Sequence, residues 1–435
     1  MANNDSAAEH VRETSLRRWW ACAGLVLFGV TWKLWIPQTE FPQVPLVARV
    51  GTLPPIADWL TFAVLLGSLA MAALRPNSGR TWLAMVVSLG VLIALDQHRL
   101  QPWAWQLGLM ALLWSRRSAT QVSNLPASEL SWQVKQVPLV WLTISIYFWS
   151  AVSKLDPSFF ASHGQTLVEA LFQSVGIHAA EWPARVKWWL ASLLPVGEFL
   201  VAAGLCLPRT RKAALIAATA LHVGLILALG PTGLGHRPSV LLWNVAFIGH
   251  DWLLFGRRTS GRSPLTRSVS EGWNQGVNSP QSVAPSLTLR VSGAVIILAC
   301  VWPMTARWGL CDHWLAWSVY STQIERVGVT LTDEGVRRLP ESAKRLAADG
   351  ELWLDRWSLT ALDVPIYPQL RFQLGVVEEL RRQCGDENLI EVSVQRSPRD
   401  GGSIERLTVE QCDVRRREFW INSQPRDGSL AGNRP

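Results

Sequence analysis

The chain contains a series of apolar blocks, each long enough to cross a lipid bilayer as a helix. Runs of roughly 17–20 mainly apolar residues recur between residues 19 and 304, which is the length that spans the hydrocarbon core. Lipid offers the backbone no hydrogen bonds, so such segments must be helices. The blocks predict spans near 19–37, 58–74, 81–96, 102–115, 137–153, 187–206, 212–230, 238–255 and 287–304.

The charged residues divide the chain into two parts. Only 17% of the 435 residues are charged, against about 25% in soluble proteins, and most of the acids lie in 319–435. We therefore expect an all-α polytopic membrane helical bundle of about nine transmembrane helices, with a small C-terminal α+β soluble domain. The predicted parts are an N-terminal tail (1–18), the main bundle (19–255), a flexible linker (256–286), the last span (287–304) and the soluble domain (305–435).

The basic residues predict the orientation of the bundle. With the N-terminus in the cytoplasm, the inner segments contain 15 Lys and Arg residues and the outer loops contain 6. This bias follows the positive-inside rule, and many of the 25 Trp residues stand at block ends, where indole prefers the membrane interface. Nine spans then place the C-terminal domain outside, in the periplasm of a bacterium. No basic stripe interleaved with aromatics suggests a nucleic-acid partner.

Helical spacing and strand-like composition predict the elements outside the spans. The soluble domain should contain helices at 333–349 and 370–383 and strands at 325–331, 388–396 and 405–421, and 163–180 should be an interfacial helix. The periplasm is oxidising, so a disulfide between Cys384 and Cys412 is possible in this domain. No CxxC or zinc-ligand spacing occurs, so neither a self-contained dithiol centre nor a metal site is expected.

Glu198 and His222 are ionisable residues near the middle of two consecutive spans. An ionisable group inside a membrane is costly, so it suggests a function. Glu198 lies about as far before the intervening turn as His222 lies after it, so antiparallel helices would hold the two side chains at similar depth. We expect a charge-assisted hydrogen bond between them. It would be either a proton-handling pair or a polar clamp between helices.

Lys154 and Asp156 end the fifth predicted span, in IYFWSAVSKLDPSFF. The lysine either extends its head group to the interface beside a helix-terminating Asp-Pro, or acts as a base in partly dry surroundings. A second polar group, Asp96-Gln97-His98-Arg99, is predicted on the same outer face. Two such groups on one face favour a shared outward-facing pocket that contains Lys154 and His98.

These motifs resemble the HTTM domain, the membrane domain shared with vitamin K-dependent γ-glutamyl carboxylases. The resemblance covers about 15–255 and rests on the Lys-Leu-Asp ending, the acid of GEFLVAAGL and the histidine of ALHVGLILALG, in that order. It implies that Lys154 acts as the base on a reduced quinone, with Asp156, Glu198, His222 and His98 as further site residues. A quinone or lipid is then the implied ligand, with the lipid bilayer as the other partner.

The Lys-Leu-Asp-Pro ending and the Pro…Glu helix also resemble DoxX- and MauE-like membrane proteins, which are linked to quinone or thiol electron transfer. Two function classes fit the sequence. The first is a carboxylase-like or quinone-linked enzyme of the bacterial inner membrane. The second is a non-enzymatic anchor or complex component that presents a periplasmic domain. In an enzyme, Lys154, Glu198, His222 and the His98 loop should converge on one cavity; in an anchor they should have separate neighbours.

Overall fold

The computed structural model describes residues 2–115, 132–256 and 287–426, and the chain is mostly helical (68%). The predicted linker 256–286 lies outside the described residues, except for Gly256. The N-terminal part consists of helices α1 (Ala2–Val30), α2 (Trp32–Trp35), α3 (Ile56–Leu74), α4 (Gly79–Leu95), α5 (Pro102–Trp114), α6 (Trp132–Ser153), α7 (Pro157–Ala161), α8 (His163–Ser174), α9 (Ala184–Cys206), α10 (Arg211–Leu229), α11 (Pro238–Phe255) and α12 (Leu287–Ile296).

Helices long and apolar enough to cross a membrane confirm that the N-terminal part is a membrane-type bundle. Within the described residues five segments meet that standard: Ile56–Leu74, Gln136–Ser153, Ala184–Cys206, Arg211–Leu229 and Val291–Trp308. Each of the nine predicted spans coincides with helical structure, but the count of nine is not confirmed. α4 (17 residues) and α5 (13 residues) are shorter than these five segments, and α11 contains the polar residues Asn244, His250 and Asp251.

The outer surface of the bundle is apolar. Leu60, Leu74, Leu193 and Leu200 each expose more than 60% of their area. Soluble monomers rarely leave so many large apolar side chains uncovered, whereas lipid covers them without cost. Inside the bundle, α9 packs against α6, α8 and α10, and α10 packs against α11. These contacts bring the polar residues of α6, α9, α10 and α11 together.

The C-terminal part forms a four-stranded antiparallel sheet in the order β2-β1-β3-β4. Val329 of β1 pairs with Leu352 of β2 and with Val392 of β3, which places apolar side chains on the covered face. The strands are β1 (Arg326–Leu331), β2 (Glu351–Trp353), β3 (Leu389–Gln395) and β4 (Ile404–Leu407); the helices are α13 (Asp333–Arg338), α14 (Glu341–Lys344), α15 (Leu354–Leu362), α16 (Leu370–Cys384) and α17 (Val409–Arg417).

Two predicted elements of this domain were wrong in detail. The predicted strand 405–421 is a short strand followed by helix α17, because Thr408 and Gln411 form a reciprocal capping box that starts a helix there. The predicted helix 333–349 is broken at Leu339-Pro340, where the residue before proline takes an extended conformation.

The six cysteines are free thiols, so the disulfide considered for Cys384 and Cys412 is absent from the structure. The Cys384 thiol lies 3.5 Å from the carbonyl oxygen of Gly335, to which it donates a hydrogen bond. Burial raises the pKa of both thiols to about 11, which keeps them protonated near neutral pH.

Buried ion pairs attach the C-terminal part to the bundle. Arg99 and Arg426 each lie 2.6 Å from a different carboxylate oxygen of Asp58, and all three side chains are at most 4% exposed. Arg371 of α16 donates through Nε to the side-chain oxygen of Gln97 at 2.9 Å. Arg426–Asp58 and Arg371–Gln97 join residues 368 and 274 positions apart and hold the C-terminal domain against the bundle, whereas Arg99 pairs with Asp58 within the bundle.

Candidate functional site

A cavity of about 60 Å³ lies between α6, α8, α9, α10 and α11. Its volume is room for a few water molecules or part of a small ligand. Leucine and aromatic side chains form most of its wall, and residues 316–320, here called the strap, cover one side. The lining residues are Ile146, Tyr147, Ser150, Lys154, Leu167, Leu194, Glu198, Leu221, His222, Leu225, Trp243, Asn244, Phe247, Trp317, Val319 and Tyr320.

Lys154 and Glu198 form an ion pair in the cavity wall. Lys154 Nζ lies 3.0 Å from each carboxylate oxygen of Glu198 and donates to Ser150 Oγ at 2.6 Å. Ser150 Oγ in turn donates to Glu198 Oε1 at 3.0 Å. The two charged side chains are only 5% and 10% exposed. The pair is thus nearly dry and is held by a third polar group.

The predicted hydrogen bond between Glu198 and His222 was wrong, because each residue has another partner. Both line the cavity, but Glu198 binds Lys154 of the α6–α7 turn, and His222 binds Tyr147 of α6 and Asn244 of α11. Equal depth in the membrane does not decide which helix a side chain faces. α9 packs against α6 as well as α10, so the ammonium group of Lys154 reaches the carboxylate.

Tyr147, His222, Asn244 and Asp251 form a second polar cluster. Tyr147 Oη lies 2.7 Å from His222 Nε2 and 2.6 Å from Asp251 Oδ2, and His222 Nδ1 lies 2.8 Å from Asn244 Oδ1. All four residues are less than 8% exposed. Tyr147, His222 and Asn244 line the cavity, whereas Asp251 lies behind Tyr147.

The hydrogen-bond directions in this cluster admit two arrangements. The Asn244 amide donates to the Val240 carbonyl at 2.9 Å, so Asn244 Oδ1 accepts from His222, whose Nδ1 must carry a hydrogen. Tyr147 has one hydroxyl hydrogen. Either it donates to neutral His222 while protonated Asp251 donates to Tyr147, or cationic His222 donates to Tyr147 while Tyr147 donates to the Asp251 carboxylate. The two arrangements differ by the transfer of one proton between Asp251 and His222.

Asp156, which the sequence suggested as a catalytic residue, caps a helix in the structure. Its Oδ1 accepts from the backbone N–H and hydroxyl of Ser158, at 2.8 and 2.7 Å, and so caps the N-terminus of α7. Asp156 does not line the cavity. The carboxylate beside Lys154 is Glu198, which was predicted as a site residue but not as the partner of this lysine.

His98 does not lie in the cavity that contains Lys154. It packs between the bundle and the C-terminal domain, with Nε2 3.0 Å from the carbonyl oxygen of Pro365, and it does not line the cavity. Burial lowers the pKa of His98 from 6.5 to about 4, and its Nδ1 has no hydrogen-bond partner among the described residues. The expected convergence therefore holds for Lys154, Glu198 and His222 but not for the His98 loop.

Sequence reasoning missed four polar residues of the two clusters: Tyr147, Ser150, Asn244 and Asp251. A usable signal was present for α6, since residues 147, 150 and 154 are spaced by three and four and so share one helix face. Asn244 and Asp251 of α11 are likewise seven apart, which puts them on one face.

Comparison with known proteins finds no relative of this chain. No family model, curated protein or solved structure matches it. The similarity to the HTTM domain therefore stays a prediction from the motifs quoted above.

Proposed function

We propose that this chain is an integral enzyme of the bacterial inner membrane that deprotonates a lipid-soluble, hydroquinone-class substrate, with Lys154 as the base. One observation carries the proposal: the Lys154 ammonium group, paired with Glu198, lies in the wall of a cavity formed mainly by apolar side chains. An apolar cavity with a few convergent polar groups is the usual form of a small-molecule site. The resemblance to the HTTM domain supports the choice of a quinone.

The ion pair provides a route to a neutral amine. Both carboxylate oxygens of Glu198 lie 3.0 Å from Lys154 Nζ, within reach to accept the lysine proton. Neutral Lys154 can then remove a hydroxyl proton from a hydroquinone and become an ammonium group again. The resulting anion is the form that dioxygen oxidises. Overall, hydroquinone and dioxygen give quinone and hydrogen peroxide, and carboxylase-like chemistry would start with the same deprotonation.

The second cluster holds one proton that can move between Asp251 and His222 through Tyr147. When that proton is on His222, which lines the same cavity, its positive charge stabilises the hydroquinone anion. The ring then loses two electrons to dioxygen. Lys154 returns the first proton to the reduced oxygen, and the second hydroxyl group of the ring gives up its own proton, so hydrogen peroxide receives both. The arrangement gives each polar cluster a separate role.

The proposed orientation follows the charge bias of the loops. It has nine spans, a cytoplasmic N-terminus and a periplasmic C-terminal domain, so the cavity opens toward the outer face. In this orientation Lys154 and the strap lie at the outer ends of their segments. Both line the cavity.

One observation favours the alternative function, a non-enzymatic component that presents its C-terminal domain. A buried ion pair from Asp58 to Arg426 and a hydrogen bond from Arg371 to Gln97 hold that domain on the bundle. An anchor of this kind needs no ligand, and its polar clusters would only pack helices. The two functions therefore differ in whether the cavity is occupied.

Quinone retention tests the proposal directly. The chain is purified from membranes in a mild detergent, and extracted quinones are quantified by mass spectrometry. Wild type should retain a quinone. Leu225→Trp should lose it, because Leu225 lines the cavity and the indole ring would occupy its volume of about 60 Å³. Leu227→Trp is the control, since Leu227 lies on the same helix but is 39% exposed on the lipid side. Equal quinone content in both variants, or none in wild type, would support the anchor.

A further inference from the structure

We propose that a groove beside the cavity binds the headgroup of an anionic phospholipid. The groove has a volume of about 810 Å³, which is within the range of ligand sites. Its walls come from the end of α6 and the turn after it, the end of the span Val291–Trp308, the strap, and the turn between β3 and β4. This binding site is independent of the proposed enzymatic function.

The charges of the groove suit a phosphate group. Arg307 and Arg399 both line it, and across residues 2–115, 132–256 and 287–426 Arg307 has no ion pair. Asp156 also lines the groove, but its Oδ1 is used by Ser158, and its Oδ2 is 3.6 Å from Arg399 Nε. Two guanidinium groups against one occupied carboxylate leave net positive charge, and guanidinium binds phosphate oxygens through paired N–H groups.

The apolar part of the groove indicates that the phosphate belongs to a lipid. Leu155 and Met304 line it and are 58% and 54% exposed, and Trp149 adds an aromatic wall. Arg307 comes at the end of an apolar segment long enough to span the membrane, which is the level at which headgroups lie. A lipid would place its phosphate between the arginines and its chains against Leu155 and Met304. A free phosphate ion would leave those apolar walls uncovered.

The strap separates this groove from the cavity. Ala316 and Ser318 face the groove, while Trp317 and Val319 face the cavity. Trp317 has a φ of 59°, a left-handed conformation that is unusual for a large side chain. A lipid bound in the groove would support the strap from behind. We therefore expect the bound lipid to raise the thermal stability of the whole chain.

Lipid-specific binding is measured on the full chain by native mass spectrometry and by melting temperature. The probes are dioleoyl phosphatidylglycerol, dioleoyl phosphatidylcholine and inorganic phosphate, each added to the protein in detergent. Phosphatidylglycerol should bind and stabilise, and the other two should not. The double variant Arg307→Gln/Arg399→Gln should weaken phosphatidylglycerol binding on the order of 20-fold, since each interfacial basic residue contributes roughly fivefold.

The control is Arg49→Gln/Arg185→Gln, which removes two exposed arginines at other sites on the proposed outer face. It should bind phosphatidylglycerol like wild type. The charge-retaining Arg307→Lys/Arg399→Lys should keep part of the binding, which separates loss of charge from misfolding. Three results would each overturn the proposal. They are equal binding of the two lipids, equal loss of phosphatidylglycerol binding in the glutamine variant and the control, and stabilisation by inorganic phosphate alone.

Discussion

At the level of single residues, the cavity wall contains a nearly dry ion pair between Lys154 and Glu198. The sequence indicated both residues as unusual, because a charge in or beside an apolar span is costly. It did not indicate that they were partners, since their pairing depends on which faces of α6 and α9 meet. Ser150 is visible from spacing in hindsight, but a serine on an apolar helix is too common to single out without the structure.

A double-mutant cycle tests the revised pairing. Removing one partner of a buried ion pair leaves the other charge uncompensated, which costs about 3–5 kcal/mol. Lys154→Met and Glu198→Leu should each lower the free energy of unfolding in detergent by this order, and the double variant should lose much less than both losses together. The control cycle, Glu198→Leu with His222→Leu, should be nearly additive. Strong coupling in the control and none in the first cycle would contradict the Lys154–Glu198 pair and support the predicted Glu198–His222 hydrogen bond.

His98 should make the stability of the chain depend on pH. Its pKa is lowered by burial from 6.5 to about 4, so the unfolded state takes up a proton first as pH falls. The stability contributed by neutral His98 is complete above about pH 6.5 and is lost as pH falls toward 4, by on the order of 3 kcal/mol. The physical cause is burial, since the Nδ1–H of a cationic ring would have no acceptor among the residues that the structure describes.

His98→Gln is the informative variant, because its amide can still donate to the Pro365 carbonyl but does not titrate. Unfolding by denaturant at pH 7.5 and pH 5 should show a smaller loss of stability for the variant than for wild type. An identical pH dependence in the two proteins would show that His98 is not held neutral at the domain contact.

At the scale of elements, apolar periodicity predicted helices well and strands less well. Every predicted span falls on helical structure, and β1, α16 and β3 lie close to their predicted positions. The prediction for segment 405–421 failed because its composition suggested a strand, while the capping box at Thr408 favours a helix. Helix α15 was missed because its nine residues are too few for a clear pattern. Helix capping at Thr408 and the short length of α15 therefore explain these two errors.

Orientation is a property of the spans that cysteine labelling can measure. In a cysteine-free background, Asp386→Cys in the soluble domain should react with a membrane-impermeant thiol reagent in intact spheroplasts. Arg209→Cys, in the exposed turn between α9 and α10, should react only after the membrane is opened. The reason is the positive-inside bias, which places these two positions on opposite sides. Labelling of both positions in intact cells would mean that one predicted span does not cross the membrane.

At the scale of the whole molecule, the sequence predicted two parts but not how they join. The joining contacts link residues such as Asp58 and Arg426, which are 368 positions apart, and no local pattern announces them. The Asp96–Arg99 segment looked like part of a pocket because polar residues beside a span suggest a site. In the structure Gln97 and His98 contact the C-terminal domain, and Arg99 pairs with Asp58, which also binds Arg426 of that domain. Polar residues at the end of a span thus fit a docking contact as well as a ligand site.

A rate measurement shows whether Lys154 acts as a base on a ligand in the cavity. Purified protein is mixed with a prenylated naphthohydroquinone and dioxygen, and quinone formation is followed by absorbance. Arginine keeps the positive charge but cannot lose its proton in a protein. Lys154→Arg should therefore lower the protein-dependent rate by about 10²–10⁴-fold while leaving the melting temperature and quinone content unchanged. Lys187→Arg, at a lysine paired with Glu169 outside the cavity, should keep the wild-type rate. Equal rates for wild type and Lys154→Arg would contradict the account and leave the membrane-anchored domain as the function to pursue.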